Sequence, residues 1–225
     1  GYIQAFGTYD EVSCFPGIMG EVLQSGEFVN WEELMIHKAL QQKHDILVQS
    51  GNKNTKFVIG LGLYQQDGMV INSGFDKISG RINIDHKITN NLSIGANLNY
   101  VQSWKQTADG TFNTFISMPP LAKVYEDDGI TLRKDVTEAG QSHYNPLWNI
   151  NNSEYRTNVT RQLYNVFLDW KIFEGLTYKL NTSMVSRSVE SDTYLGRNHT
   201  SCLSAGYLGK ATVSRSTNKD YLLEN

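Results

Sequence analysis

Clustered carboxylates, scattered imidazoles and a segment rich in aromatic rings are the side chains of this sequence that could do chemistry. Glu126-Asp127-Asp128-Gly129 gathers the hard oxygens that calcium prefers. It lacks the one-three-five spacing of a calcium loop, so it reads as a solvated turn, and Asp109-Gly110 reads as another. The five histidines follow no metal-ligand spacing. Serines, histidines and aspartates are plentiful, yet no Gly-x-Ser-x-Gly elbow presents a nucleophile. Hydrolysis by facing carboxylates would need a pair in space that order along the chain does not reveal. No catalytic, cofactor or metal residue is assigned, and the chain reads as not an enzyme. Phe112, Phe115, Tyr144 and Trp148 could stack on sugar faces or peptide side chains, or simply pack their segment against itself. Asn145-Pro146 stiffens the backbone between the last two.

The elements that would position these groups announce themselves between Phe75 and Tyr100. Ile78, Gly80, Ile82 and Ile84 fall on one parity, and Lys77, Ser79, Arg81, Asn83 and Asp85 on the other. After Thr89-Asn90-Asn91 the alternation resumes with Leu92, Ile94, Ala96, Leu98 and Tyr100 against Ser93, Gly95, Asn97 and Asn99. Successive strand residues point to opposite faces, so this is an antiparallel hairpin with one greasy and one wet face. A soluble sandwich would turn the greasy face to a core. An outer-membrane barrel would turn it to lipid and line a water-filled lumen with Arg81, Asn83, Asp85, Asn97 and Asn99.

Composition narrows the choice. The net charge of −3 over 225 residues offers no basic field for nucleic acid. No apolar run approaches the ~20 residues of a membrane helix, so a membrane role would need strands. Twelve tyrosines against four prolines suit long, unbroken strands. Gly-Tyr-Ile-Gln-Ala-Phe-Gly at the start has neither the basic region nor the apolar segment of a signal peptide. With the last residues ending in mid-pattern, the chain reads as cut from something larger. Cys14 and Cys202 are too few for a disulfide framework, and whether they pair is open.

Residues 1–42 read as an irregular segment with a short helix near 31–40, started by Asn30 as N-cap and Glu33 three residues on. Residues 43–225 read as about eight strands with a long irregular stretch at 103–157. The tight turns fall at 51–54, 89–91 and 173–175. The connections between them, at 67–74, 103–157 and 189–205, are longer. That rhythm is an up-and-down meander with short turns at one end and long loops at the other. A Greek-key sandwich has no reason to alternate so regularly. Aromatics near strand ends (Phe57, Tyr100, Trp104, Trp170, Tyr178) fit two membrane interfaces.

The phrases of the sequence then resemble the barrel of SusC/RagA-type TonB-dependent transporters. The resemblance rests on Asn30-Trp31, on the run from Gln42 to Gly51, on Thr55-Lys56-Phe57 through Asp67-Gly68, and on Phe75-Asp76-Lys77 to His86. It continues in Met118-Pro119-Pro120-Leu121, Tyr125 to Gly129, Asn145-Pro146-Leu147-Trp148, Leu168-Asp169-Trp170 and Gly175-Leu176-Thr177-Tyr178. It covers about residue 28 to the end. The resemblance implies an all-β fold, a segment of a large transmembrane barrel with short periplasmic turns and long extracellular loops, in the cell outer membrane. It also implies import of an oligosaccharide or peptide ligand with a SusD-like lipoprotein. Coupling to the TonB complex would run through an N-terminal part not seen here. Tyr144, Trp148, Phe112 and Phe115 would then be candidates to touch ligand or lipoprotein, with Trp148 near the extracellular mouth or anchoring the loop to the rim. The alternative is a soluble or cell-surface β-rich module that binds glycans.

Overall fold

The computed structural model describes residues 15, 17–110, 112–137 and 143–225, with the side chains of 112 and 113 outside that description. Seven strands form one antiparallel sheet in strict sequence order, an open meander. They are β1 (Gln41–Gly51), β2 (Thr55–Asp67), β3 (Gly74–Lys87), β4 (Leu92–Thr107), β5 (Ser153–Phe173), β6 (Leu176–Gly196) and β7 (Gly209–Glu224). The expectation of about eight strands is corrected to seven. Tyr207–Ser214 and Lys219–Glu224, read as two candidates, form the single strand β7, because the polar residues between them keep pairing with β6.

The tight turns are built by side chains that satisfy local amides. Asn52 Oδ1 accepts from the Asn54 and Thr55 amides, both at 2.8 Å. Thr89 Oγ1 accepts from Asn91 (3.2 Å) and Leu92 (3.0 Å). Glu174-Gly175 joins β5 to β6 with Gly175 at φ 89, a conformation that carries little cost only without a Cβ.

The register stacks the greasy parity into one band. Ile59, Ile82, Leu98, Tyr164, Met184 and Tyr221 form a row across six strands. Rows through Leu61–Gly80 and Phe57–Ile84–Ala96–Val166 flank it. Among the described residues no second sheet covers this face: Ile84 is 41% exposed, and Val166 and Leu61 more so. The sandwich arrangement is therefore not adopted, since a soluble sandwich buries its apolar face.

The long strands outrun the band. β5 and β6 each have 21 residues, roughly 65–70 Å of chain, where a tilted membrane strand needs about 9–11 residues. Their long-loop halves carry Asn158, Thr160 and Gln162 opposite Glu190, Ser188 and Ser186 on the same face as the band. The irregular stretches read at 103–157 and 189–205 therefore shrink to 108–152 and 197–208. With one face polar throughout and the other mixing Val159 and Val189 with Arg161, Arg187 and Thr157, the period-two hydrophobic signal fades while the backbone ladder continues.

Most of the buried core lies outside the sheet. Trp31 and Met35 of a short helix join Phe115, Ala122, Val124, Val136, Leu147 and Ile150 of the 108–152 segment, and Val70 and Ile71 of the β2–β3 connection pack on them. Asn30 caps that helix, its Oδ1 accepting from the Glu33 amide at 3.3 Å. The helix runs Trp31–Met35 and stops well short of residue 40. Ile36 leaves helical geometry to bridge Val70, and the His37 amide donates to the Met69 carbonyl at 2.9 Å. Tertiary pairing thus overrides the helix signal. A second helix, Ile18–Ser25, lies in a region with no clean period and closes at Gly26, φ 72.

Candidate functional site

Two structures in this chain could meet a ligand: the polar face of the sheet and the folded segment at its long-loop end. The polar face is laced across strands. Asn97 Nδ2 donates to Asn165 Oδ1 (3.0 Å), Asn165 Nδ2 to Asn181 Oδ1 (2.6 Å), and Asn181 Nδ2 to Glu224 Oε2 (3.1 Å). The ladder braces β4 through β7 with three side-chain amides and the Glu224 carboxylate and leaves the face wettable. Arg81, Asn83, Asp85, Asn97 and Asn99 share this parity, opposite the apolar band. Arg81 lies over Gly60, where a Cβ would fall 2.9 Å from its Nε, and the Phe167 ring lies over Gly95, 2.2 Å from where a Cβ would be. Those glycines let long side chains lie flat on the sheet. A hollow of about 470 Å³ remains on the sheet near β1 to β4, with Asp45, Gly60, Gly62, Ser79, Arg81 and Asn99 in its lining.

The folded segment is organised by Asn145, which is fully buried. Its Nδ2 donates to the Val124 (3.0 Å) and Arg133 (2.8 Å) carbonyls, and its Oδ1 accepts from the Leu147 amide (3.0 Å). One side chain therefore ties two passages of the segment to the start of a helix, Pro146–Asn151. Trp31 Nε1 donates to the Pro119 carbonyl at 2.9 Å, docking the N-terminal helix. The sequence marks Asn145-Pro146 as a stiffener but gives no sign that the amide is a three-way tie.

The aromatic candidates separate. Phe115 is 2% exposed inside the segment's core. Phe112 opens the helix Phe112–Ile116, and its side chain lies outside the described residues. Tyr144 is exposed, with Lys134 Nζ 5.8 Å from its ring centre. Trp148 is half-buried and its Nε1 donates to the Asn198 carbonyl at 2.6 Å, joining the 108–152 segment to the β6–β7 connection. Among the described rings, Phe115 is buried in the core and so shares no open platform with Tyr144 and Trp148.

Asp127 and its neighbours act locally. Asp128 accepts from the Ile130 and Thr131 amides and the Thr131 hydroxyl, and those bonds hold its carboxyl below the usual range. Glu126 pairs with Arg133 at 2.9 Å. Among the described residues no three His, Cys, Asp or Glu side chains gather as metal ligands. Cys14 lies outside the described residues; Cys202 is buried, its thiol 3.7 Å from the Leu195 carbonyl oxygen.

Sequence reading missed a latch. Asp109, at the end of β4, accepts from the Tyr155 hydroxyl (3.1 Å) and sits 2.8 Å from His199 Nε2. His199 Nδ1 accepts from the Ser201 amide at 3.1 Å, which fixes the proton on Nε2 and caps the helix Thr200–Ala205. Burial first, then the Asp109 charge, pushes the Tyr155 hydroxyl up to about 12. Residues 109, 155 and 199 are too far apart in sequence to signal this meeting. A second tie, Lys123 to Glu21 at 2.6 Å, holds the Glu21 carboxyl low and the Lys123 ammonium high through their hydrogen bond.

No protein-family model matches the chain. The TonB-dependent receptor P26 of Formosa agariphila is 23% identical over 199 residues, covering 87% of this chain and 20% of that receptor. A structure of the RagAB peptide transporter superposes with a TM-score of 0.68 at 18% identity, over 86% of this chain and 23% of that one. The RagAB peptide importer in its open-open state gives 0.68 at 19% identity, over 86% and 22%. The chain spans about a fifth of the length of these relatives.

Proposed function

We propose that the chain is a RagA-like barrel segment of a TonB-dependent receptor, and that the protein it serves imports oligosaccharide or peptide nutrients through the outer membrane. Its place is the outer membrane, and its kinship is with receptors, not enzymes. The observation that carries the reading is the uncovered apolar band backed by a wettable face. Only a medium as apolar as lipid suits the first, and a water-filled passage suits the second.

In this reading Arg81, Asn83, Asp85, Asn97 and Asn99 line the lumen, and the 108–152 segment is an extracellular loop with its own core. Tyr144 and Trp148 offer rings to a ligand or to a SusD-like lipoprotein, with Phe115 supporting them from inside. The likeness to RagAB, a peptide transporter, favours peptide over oligosaccharide. Energy enters through the TonB complex by way of segments outside this chain. The test is uptake of labelled oligopeptides and oligosaccharides by cells with and without the receptor gene. Uptake that needs the receptor, its neighbouring lipoprotein and an energised inner membrane supports the proposal. Uptake of every probe at the same rate without the receptor refutes it.

A further inference from the structure

We propose that Arg161 and Arg187 form an anion site on the polar wall of the barrel that takes a carboxylate of an acidic peptide. The inference rests on the transport reading above and names the class of ligand within it. Arg161 of β5 and Arg187 of β6 are direct register partners, on the same parity as Asn99 and Asn97. Like charges placed opposite one another across a ladder are destabilising.

Among the described residues some charges of the sheet are matched, while others such as Lys77 and Arg81 stand without an ion pair but face no like charge in the register. Lys179 pairs with Asp169 at 3.4 Å, Arg215 with Glu190 at 2.9 Å, and Lys43 with Asp45 at 3.0 Å. Among the described residues no carboxylate lies within ion-pair distance of Arg161 or Arg187. Their lateral neighbours are Val101 on β4 and Asn218 on β7. Asp220, one row lower on β7 opposite Val185, makes no pair with Arg187. Both guanidiniums are exposed and free to turn toward an incoming group.

The surroundings say what that group is attached to. The row on one side of the pair is Val159–Val189, and on the other Leu163–Val185. Two forked cations between two aliphatic rows fit a ligand with a carboxylate beside apolar atoms, as in a peptide with Glu, Asp or a free C-terminus. Guanidiniums bind carboxylates bidentately. A neutral sugar would use neither the charge nor the aliphatic flanks. The depth fits ligand entry: on the opposite face these rows carry Tyr100, Gln162, Ser186 and Lys219, where the apolar band gives way to polar residues. The pair therefore lies toward the long-loop end of the wall.

The test uses the full-length receptor with its lipoprotein, and two labelled heptapeptides that differ only in two Glu replaced by Gln. Arg161→Gln with Arg187→Gln is expected to weaken binding of the Glu peptide roughly ten- to hundredfold, and to leave the Gln peptide within about twofold. Arg161→Lys with Arg187→Lys, which keeps the charge and loses the fork, should recover part of the Glu-peptide binding. Surface yield should be unchanged, because the Gln variant removes a repulsion. Equal losses for both peptides, or a drop in the heat stability of ligand-free receptor, would mean that the two arginines pair with another part of the protein, and the proposal would fall. So would an unchanged Glu-peptide affinity, or an arginine dependence seen only with a uronate oligosaccharide. If wild-type receptor binds neither peptide nor oligosaccharide, the transport reading itself is at fault.

Discussion

Removing the side chain of Asn145 should melt the 108–152 segment without disturbing the sheet. Three backbone groups bond to that amide: the Val124 and Arg133 carbonyls and the Leu147 amide. Asn145→Ala leaves the Arg133 carbonyl and the Leu147 amide without that partner at a site closed to water, while the Val124 carbonyl keeps the Arg133 amide at 2.9 Å. At about 1–3 kcal/mol for each unsatisfied group, with incomplete additivity and some relaxation toward solvent, the expected cost is about 2–4 kcal/mol. A segment with a core of this size has little more than that to lose. The assay is trypsin digestion of intact cells, since Lys123, Arg133 and Lys134 lie within the segment. Wild type should be cut slowly and Asn145→Ala quickly, with equal amounts of receptor at the surface. Asn145→Asp separates the parts of the argument. Its carboxylate can still accept from Leu147 but turns an acceptor toward two carbonyl oxygens, so it should be cut faster than Ala. If Asp protects better than Ala, the helix cap is what matters and the three-way tie is the wrong explanation. Resistance equal to wild type in both variants would refute the account altogether.

Three further outcomes are expected. Ile82→Arg, in the middle of the apolar row, should cost about 2–4 kcal/mol of folding free energy in lipid, and Asn83→Ser on the other face should cost little; unfolding of the receptor in liposomes checks both. Trp148→Ala removes the bond to the Asn198 carbonyl and should raise protease sensitivity near residues 148 and 198; a fall in uptake with loop order and surface expression unchanged would instead support ligand or lipoprotein contact. Tyr155, raised to about 12 in the folded chain from an ordinary 10.0, favours the fold while neutral. That contribution is complete below about pH 10 and is lost as pH climbs through 12, and Asp109→Asn should move the ultraviolet titration of Tyr155 downward.

Legibility followed chemistry. Where one parity is apolar, from Thr55 to Tyr100 and from Tyr164 to Met184, period-two alternation marks the strands and the residues that share a face. Where one parity is polar and the other mixes valine with arginine and threonine, as in Thr157 to Gln162 against Ser186 to Ser191, the same ladder leaves little trace in hydropathy, and the strands run past the ends that hydropathy marks. The Asn30 cap was legible because capping is local, whereas the stop at Met35 was not, because it depends on Val70 reaching Ile36. The latch of Asp109, Tyr155 and His199, and the arginine pair, exist only once the register brings distant residues together. No spacing rule along one strand could have found them.

The placement of buried residues explains how two kinds of stability share one chain. Apart from Leu195, the sheet contributes almost nothing to the buried apolar set, so its apolar side chains are stabilised by the medium around them. The 108–152 segment, the Trp31–Met35 helix and the β2–β3 connection bury one another and need no lipid. The loop part meets the sheet at polar contacts: Asp109 to Tyr155 of β5 at 3.1 Å, and Gln106 Nε2 of β4 to Asn72 Oδ1 at 2.5 Å. Each of those contacts is worth about 1 kcal/mol, far less than the core above or the band below.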